Sequence, residues 1–364
     1  MYTMFFTNLS ENYSYDTYYD YSSFNDDVCD LTDGTNFGAV MIPVLYSVAF
    51  VVGILGNGAL LGVLFQSRKS WSVTDTFILH LGVADILLLV TLPLYAVQSA
   101  QKDGWTFGVP LCKITGTVFT INFYCGIFLL ASISMDRYLS IVHATQMYSR
   151  RKPWVVHVSC LMVWFFSLLL SIPDWIFLDV AADERRHRYE CVRDYSKFGK
   201  EGIHYWQGTS RLIYHIVGFL IPSFILILCY SCILWRLRCG TQGIQKQRAF
   251  KVIISLVVVF FLCWTPYNIA LVVDTVSQYY NTKICGIRIS LGKAIVVTCS
   301  LGYLHCSLNP ILYAFVGIKF RRQLLEILRS LGCKLKTSTK FQSVVSRRTS
   351  LWSDSADTSK SIAV

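Results

Sequence analysis

Seven apolar runs divide the 364 residues, and each meets the roughly 20 residues that a helix needs to cross the hydrocarbon core of a bilayer. They cover residues 34–67, 76–101 (broken only by Asp85), 114–135, 153–173, 212–235, 252–273 and 294–318. The chain is 54% hydrophobic but only 15% charged, and its charges fall in clumps between the runs. Helices of a soluble domain carry a polar stripe opposite the buried one, and these runs show little stripe. The expected fold is all-α and integral to the membrane: a seven-transmembrane helix bundle.

Basic residues orient it. None precedes Arg68, while the first 38 residues carry Glu11, Asp16, Asp20, Asp26, Asp27, Asp30 and Asp33. The loops after runs one, three and five carry Arg68/Lys69, Arg150/Arg151/Lys152 and Arg236/Arg238/Lys246/Arg248/Lys251, so these loops are expected in the cytosol and the amino terminus outside. Arg185, Arg186, Arg188, Arg193 and Arg211 run against this count. They are placed in a longer loop where Asp183, Glu184, Glu190 and Asp194 offset them. Residues 1–12 have no basic n-region or cleavable apolar core, so the first run is expected to direct insertion. Asn8 and Asn12 begin glycosylation sequons that make sense only outside. The net charge of +11 is mostly cytosolic and suits an anionic inner leaflet; no motif points to nucleic acid.

Of the 13 cysteines, this topology puts Cys29, Cys112, Cys191 and Cys285 outside, where disulfides persist. Four cysteines allow three pairings. Cys112–Cys191 would staple the loop after the fourth run over the bundle mouth, and Cys29–Cys285 would tie the amino-terminal arm to the loop before the seventh. Asp85 is the one acid in the middle of a run. A carboxylate there must face the bundle interior with a partner, and Asn57, Asn122 and Asn309 are the available amides. Pro93, Pro222, Pro266 and Pro310 each remove a backbone hydrogen bond at depth and make a kink on which a helix can pivot. Asp136-Arg137-Tyr138 stands at the cytosolic foot of the third run, where an arginine with a rigid fork of donors can exchange partners as helices move. No nucleophile–base pair or metal triad stands at a plausible spacing, so no enzyme activity, cofactor or metal is expected. A transporter or channel would show paired repeats or further ionisable groups beside Asp85.

Asn57, the segment from Leu81 to Asp85, Cys112, Asp136-Arg137-Tyr138, Trp164, Pro222, Cys263-Trp264-Thr265-Pro266 and Asn309-Pro310 with Tyr313 stand in the order and spacing of rhodopsin-like G-protein-coupled receptors. The chain resembles that family from about residue 40 to 331. Thr91-Leu92-Pro93, Trp105, the stretch from Asp136 to Ala144, His305 to Pro310 and the Cys29/Cys285 pair are similar to chemokine receptors. The segments from Ile172 to Leu178 and from His143 to Gln146, the stretch from Leu312 to Gly317 with Lys319-Phe320, and Ser346-Arg347-Arg348 resemble the type-three CXC branch.

The resemblance implies binding of CXC chemokines that lack a Glu-Leu-Arg motif, and activation of heterotrimeric G proteins of the inhibitory class to drive leukocyte chemotaxis. It implies partnership with receptor kinases, arrestins and membrane lipids at the plasma membrane. On activation Arg137 would leave Asp136 and approach Tyr230 and Tyr313 as the sixth span swings at Pro266, with Trp264 sensing a pocket formed by Tyr95, Phe119, Asp174, Asp274 and Tyr303. Asp85, Asn122, Tyr138, Asn309 and Pro310 complete the switch. Three departures matter. Lys246 replaces an acid that often locks Arg137. Gly126 and His305 replace polar groups often found around a sodium ion, which argues against sodium at Asp85. Cys299 replaces a glutamate, leaving Asp174 and Asp274 to meet a basic ligand tip. A scavenging receptor of the same fold is the alternative, but such receptors usually alter the Asp-Arg-Tyr region.

Four regions follow: an acidic arm (1–38), the bundle (39–317), an amphipathic eighth helix (318–331) and a hydrophilic tail (332–364). The arm sets Tyr13, Tyr15, Tyr18, Tyr19 and Tyr21 beside Asp16 and Asp20, a composition suited to a basic partner and to tyrosine sulfation. Cys333 follows the amphipathic stretch as a palmitoylation candidate. The tail clusters Thr349, Ser350, Ser353 and Ser355 as a phosphorylation array.

Overall fold

The computed structural model describes residues 35–66, 71–142, 153–183, 188–196, 199–239, 244–279, 285–316, 320–321 and 324–326. Among these, seven helical segments of 24 to 34 residues are long and apolar enough to cross a membrane. The first is α1 (Thr35–Gln66). The second joins α2 (Val73–Leu89) to α3 (Leu92–Ala100). The third is α4 (Gly108–Ile141), and the fourth joins α5 (Pro153–Leu170) to α6 (Ile172–Phe177). Strands β1 (Leu178–Asp183) and β2 (Arg188–Arg193) form an antiparallel hairpin between spans four and five. The fifth span runs from α7 (Gly199–His215) through a π turn (Ile216–Leu220) into α8 (Ile221–Cys239). The sixth is α9 (Ile244–Tyr279) and the seventh α10 (Cys285–Val316).

Polarity is arranged inside out relative to a soluble bundle. Asn57, Asp85, Asn122 and Asn309 are buried, while Leu55, Phe65, Leu161, Phe165, Phe224 and Leu262 are exposed. An apolar belt this extensive marks a membrane-facing surface, and the polar groups turn inward because lipid cannot satisfy them. The third span is the most buried and the first the least.

Local chemistry sets the breaks. Ser72 and Asp75 make a reciprocal cap at the start of α2: the Ser72 amide donates to Asp75 Oδ2 at 2.7 Å and the Asp75 amide to Ser72 Oγ at 3.3 Å. Pro93 in the first turn of α3 forces a restart, and Thr91 Oγ1 donates to the Leu88 carbonyl across the gap at 2.7 Å. Pro173 plays the same part at the start of α6. In span five, Pro222 has no N–H for the carbonyl four residues back; the helix widens, and the Ile221 amide reaches Ile216. Gly218 is required in that turn, because a Cβ there would stand 2.5 Å from Tyr124 Cε1 on α4.

Two boundaries differ from the sequence reading. Span three runs to Ile141, so Asp136-Arg137-Tyr138 lies within the helix rather than at its foot. Span five begins at Gly199 rather than at residue 212, because its first turns are polar and escape a hydropathy criterion. Arg211 is therefore a helix residue, not a loop residue. The helical residues Arg321 and 324–326 fall in a second unit that begins at Arg321, and most of the expected eighth helix lies outside the described residues.

Candidate ligand mouth and signalling core

Cys112 and Cys191 are disulfide-bonded, with Cα atoms 5.5 Å apart, so span three is stapled to β2 as expected. The hairpin is fixed further by Trp105, whose amide donates to the Tyr189 carbonyl at 2.8 Å, and by the Tyr189 amide, which donates to Asp103 at 2.9 Å. Gly104 turns the chain there with φ of 72°, and a Cβ would sit 2.2 Å from the Tyr189 carbonyl oxygen. Burial raises the Tyr195 phenol pKa as its ring packs 4.5 Å from Phe177.

The two acids expected to await a basic ligand are already occupied. Asp174 pairs with Arg193 Nε of β2. Asp274 Oδ2 lies 2.8 Å from Arg211 Nη2, whose Nη1 also donates to Thr275 Oγ1 at 2.6 Å. In this arrangement a basic ligand group would have to displace an arginine to reach either acid. Burying a carboxylate without a counter-ion is costly, so the fold supplies one from a neighbouring element. Nothing in the sequence spacing links residues 19 or 63 positions apart.

Beneath lies an aromatic cup. Phe119 stands 4.8 Å from Tyr303 and 5.4 Å from Trp264; Tyr303 is 5.4 Å from Tyr95 and 5.2 Å from Tyr46. Each such pair contributes about 0.5–1.5 kcal/mol beyond its burial. The structure thus brings together Tyr95, Phe119 and Tyr303 as expected, with Trp264 fully buried below.

Trp264 meets His305 at 6.4 Å, and the next layer is polar. Asp85 accepts from Asn309 Nδ2 at 2.7 Å and from Asn122 Nδ2 at 3.1 Å. Cys306 Sγ donates to Asn122 Oδ1 at 3.6 Å. Two of the three expected amides therefore serve Asp85. Asn57 does not, because its Nδ2 donates instead to the carbonyls of Gly53 and Cys306 at 3.0 and 2.9 Å.

At the far end, Arg137 Nη2 lies 3.7 Å from Asp136 Oδ2 and donates to Thr74 Oγ1, a partner not expected from the sequence. Tyr230, expected near Arg137 after activation, shares a 2.8 Å hydrogen bond with Ser134 Oγ. The Tyr313 ring packs 6.4 Å from Phe320. Pro266 and Pro310 lie inside α9 and α10, and Tyr138 is on the last turns of α4. Tyr13, Tyr15, Asp16, Tyr18, Asp20, Asn8, Asn12, Cys29, Thr349, Ser350, Ser353 and Ser355 lie outside the described residues, as do the side chains of Lys246 and Cys285.

The family model for the 7 transmembrane receptor (rhodopsin family) matches residues 56–313. The chain is 42% identical over 360 residues to C-X-C chemokine receptor type 3 of Homo sapiens, covering 97% of this chain and 95% of that protein. The chain belongs to the chemokine receptors of the rhodopsin family. It is also 39% identical over 323 residues to human C-X-C chemokine receptor type 5 (87% and 86% of the two chains). With C-X-C chemokine receptor type 1 of Oryctolagus cuniculus it shares 38% over 293 residues, 80% of each. As a chemokine receptor it is a multi-pass plasma-membrane protein and not an enzyme. The stapled mouth, aromatic cup, Asp85 layer and Arg137 are thus parts of one receptor.

Proposed function

We propose that this receptor binds CXC chemokines lacking the Glu-Leu-Arg motif and activates inhibitory-class G proteins to drive leukocyte chemotaxis. The acidic, tyrosine-rich arm (1–38) is extracellular and captures the basic chemokine by electrostatic steering. A basic group on the ligand then exchanges with Arg193 at Asp174 and with Arg211 at Asp274, releasing β2 from span four and span five from span six. Pressure on Phe119 and Tyr303 is passed to Trp264, and span six pivots at Pro266. At the cytosolic end Arg137 leaves Thr74 and Asp136 for Tyr230, which leaves Ser134. Receptor kinases phosphorylate Thr349, Ser350, Ser353 and Ser355 for arrestin docking.

The observation that carries this reading is the unbroken series of contacts Phe119–Trp264–His305 above the Asp85 layer, with exchangeable partners at both ends. A panel of labelled CXC chemokines on transfected cells, with G-protein nucleotide exchange read beside binding, tests it. Arg137→Ala should keep binding and lose exchange. Binding with no exchange in the unmutated receptor would instead identify a scavenger.

A further inference from the structure

We propose that Asp85, His305 and Cys306 form a buried site for a zinc ion, which holds spans two and seven together in the resting arrangement. One ligand atom from each residue lies within 4.8 Å of the other two. Tetrahedral zinc, with bonds of about 2.0–2.3 Å, sets its ligand atoms roughly 3.5 Å apart, so small side-chain movements close the site. His305 supplies the second observation. It is 2% exposed, yet neither ring nitrogen has a hydrogen-bond partner among the described residues, and its neighbours include the faces or edges of Phe260 and Trp264 at 5.4 and 6.4 Å. An imidazole buried without a partner is costly, and a metal ion removes that cost.

The donor set selects the ion. Sodium and magnesium favour oxygen, whereas imidazole and thiolate suit zinc. The sequence departures that argue against sodium, Gly126 and His305, do not argue against a softer cation. Charge agrees. Among the described residues Asp85 has amide partners but no ion pair. Zinc would displace the Cys306 proton, which leaves to solvent; one divalent cation then balances one carboxylate and one thiolate, with the imidazole neutral. Asn122 and Asn309 remain to orient the carboxylate. Asp85 belongs to α2, and His305 and Cys306 to α10 one turn before Asn309-Pro310, so the ion bridges two spans beside the Trp264 contact. The resting-state consequence rests on the proposed signalling function; the binding itself does not.

The test uses the full chain in lipid nanodiscs, stripped with EDTA and titrated with zinc chloride against a fluorescent zinc indicator. The expected result is one zinc per receptor, about one proton released, and a raised melting temperature that sodium and magnesium do not reproduce. His305→Leu removes an unsatisfied group as well as a ligand. Its metal-free protein should melt no lower than the unmutated one, yet its zinc affinity should fall at least about tenfold. Cys306→Ser should lose affinity similarly, while Cys160→Ser, on span four, should not. Equal zinc binding by the unmutated and His305→Leu receptors overturns the site, as does no binding below millimolar zinc. If zinc binds as expected but leaves chemokine-stimulated nucleotide exchange unchanged, the resting-state role falls and the site stands.

Discussion

Thr74→Val removes one hydroxyl and almost no volume from the partner of Arg137, so its effect can be worked from a single contact. Thr74 is buried, and Arg137 Nη2 donates to its Oγ1 while lying 3.7 Å from Asp136. A hydrogen bond to a charged group contributes about 1.5–3 kcal/mol. The Asp136 contact is longer than a hydrogen bond, and Arg137 Nε has no partner in this arrangement, so little takes over when the hydroxyl goes. If the bond exists only at rest, its loss moves the resting–active equilibrium about 10- to 150-fold toward the active side, at 1.4 kcal/mol per factor of ten. Ser134→Ala frees Tyr230 from a neutral 2.8 Å bond and should act in the same direction by about 0.5–1.5 kcal/mol, or roughly 2- to 10-fold. The assay is basal nucleotide exchange in membranes at matched receptor density, with Thr74→Ser as the rescue. Basal exchange and agonist potency both within twofold of the unmutated receptor would refute Thr74 as a restraint.

Other outcomes follow from the mouth and the termini. A double-mutant cycle on Arg211→Gln and Asp274→Asn, read as unliganded thermal stability, should give a coupling of about 0.5–3 kcal/mol; zero coupling removes the bridge from the resting mouth. Replacing Tyr15, Asp16, Tyr18 and Asp20 should slow chemokine association at low salt and flatten its salt dependence; an unchanged low-salt rate excludes the arm. Truncation after Lys340 should spare binding and G-protein activation but reduce arrestin recruitment, and equal recruitment would return the tail to an inert role.

What could be read in the chain was what physics encodes locally. Bilayer thickness sets run length, so all seven spans were legible, and compartment chemistry narrowed the disulfide candidates to four cysteines that include the bonded Cys112 and Cys191. A lone mid-span acid needs amides, and Asn122 and Asn309 supply them. What escaped depends on tertiary approach. Arg193 and Arg211 read as loop charges because an ion pair between separate elements leaves no periodic trace. Thr74 is one hydroxyl among many on a helix. The first turns of α7 are polar, with Arg211 paired to Asp274, and so escape a hydropathy window.

The axis from cup to Arg137 also explains why the buried polar groups are incompletely satisfied. Trp264 Nε1, both nitrogens of His305, Asn309 Oδ1, the Tyr313 hydroxyl and Arg137 Nε are buried with no hydrogen-bond partner among the described residues. A buried polar group left without any partner costs about 1–3 kcal/mol, so these are positions where a change of partner alters the energy of an arrangement. In a bundle that must leave one arrangement for another, the same pattern keeps the gap between them small enough for a ligand to cross. A ligand can shift the balance only by its differential affinity for the two states, and moving it from 1:99 to 99:1 takes about 5.5 kcal/mol. Under the proposed mechanism, exchange of the two mouth ion pairs supplies part of that difference, with coupling of about 0.5–3 kcal/mol per pair. Under the proposed mechanism, these groups are positions where partners can change as a signal passes from Asp174 and Asp274 toward Arg137.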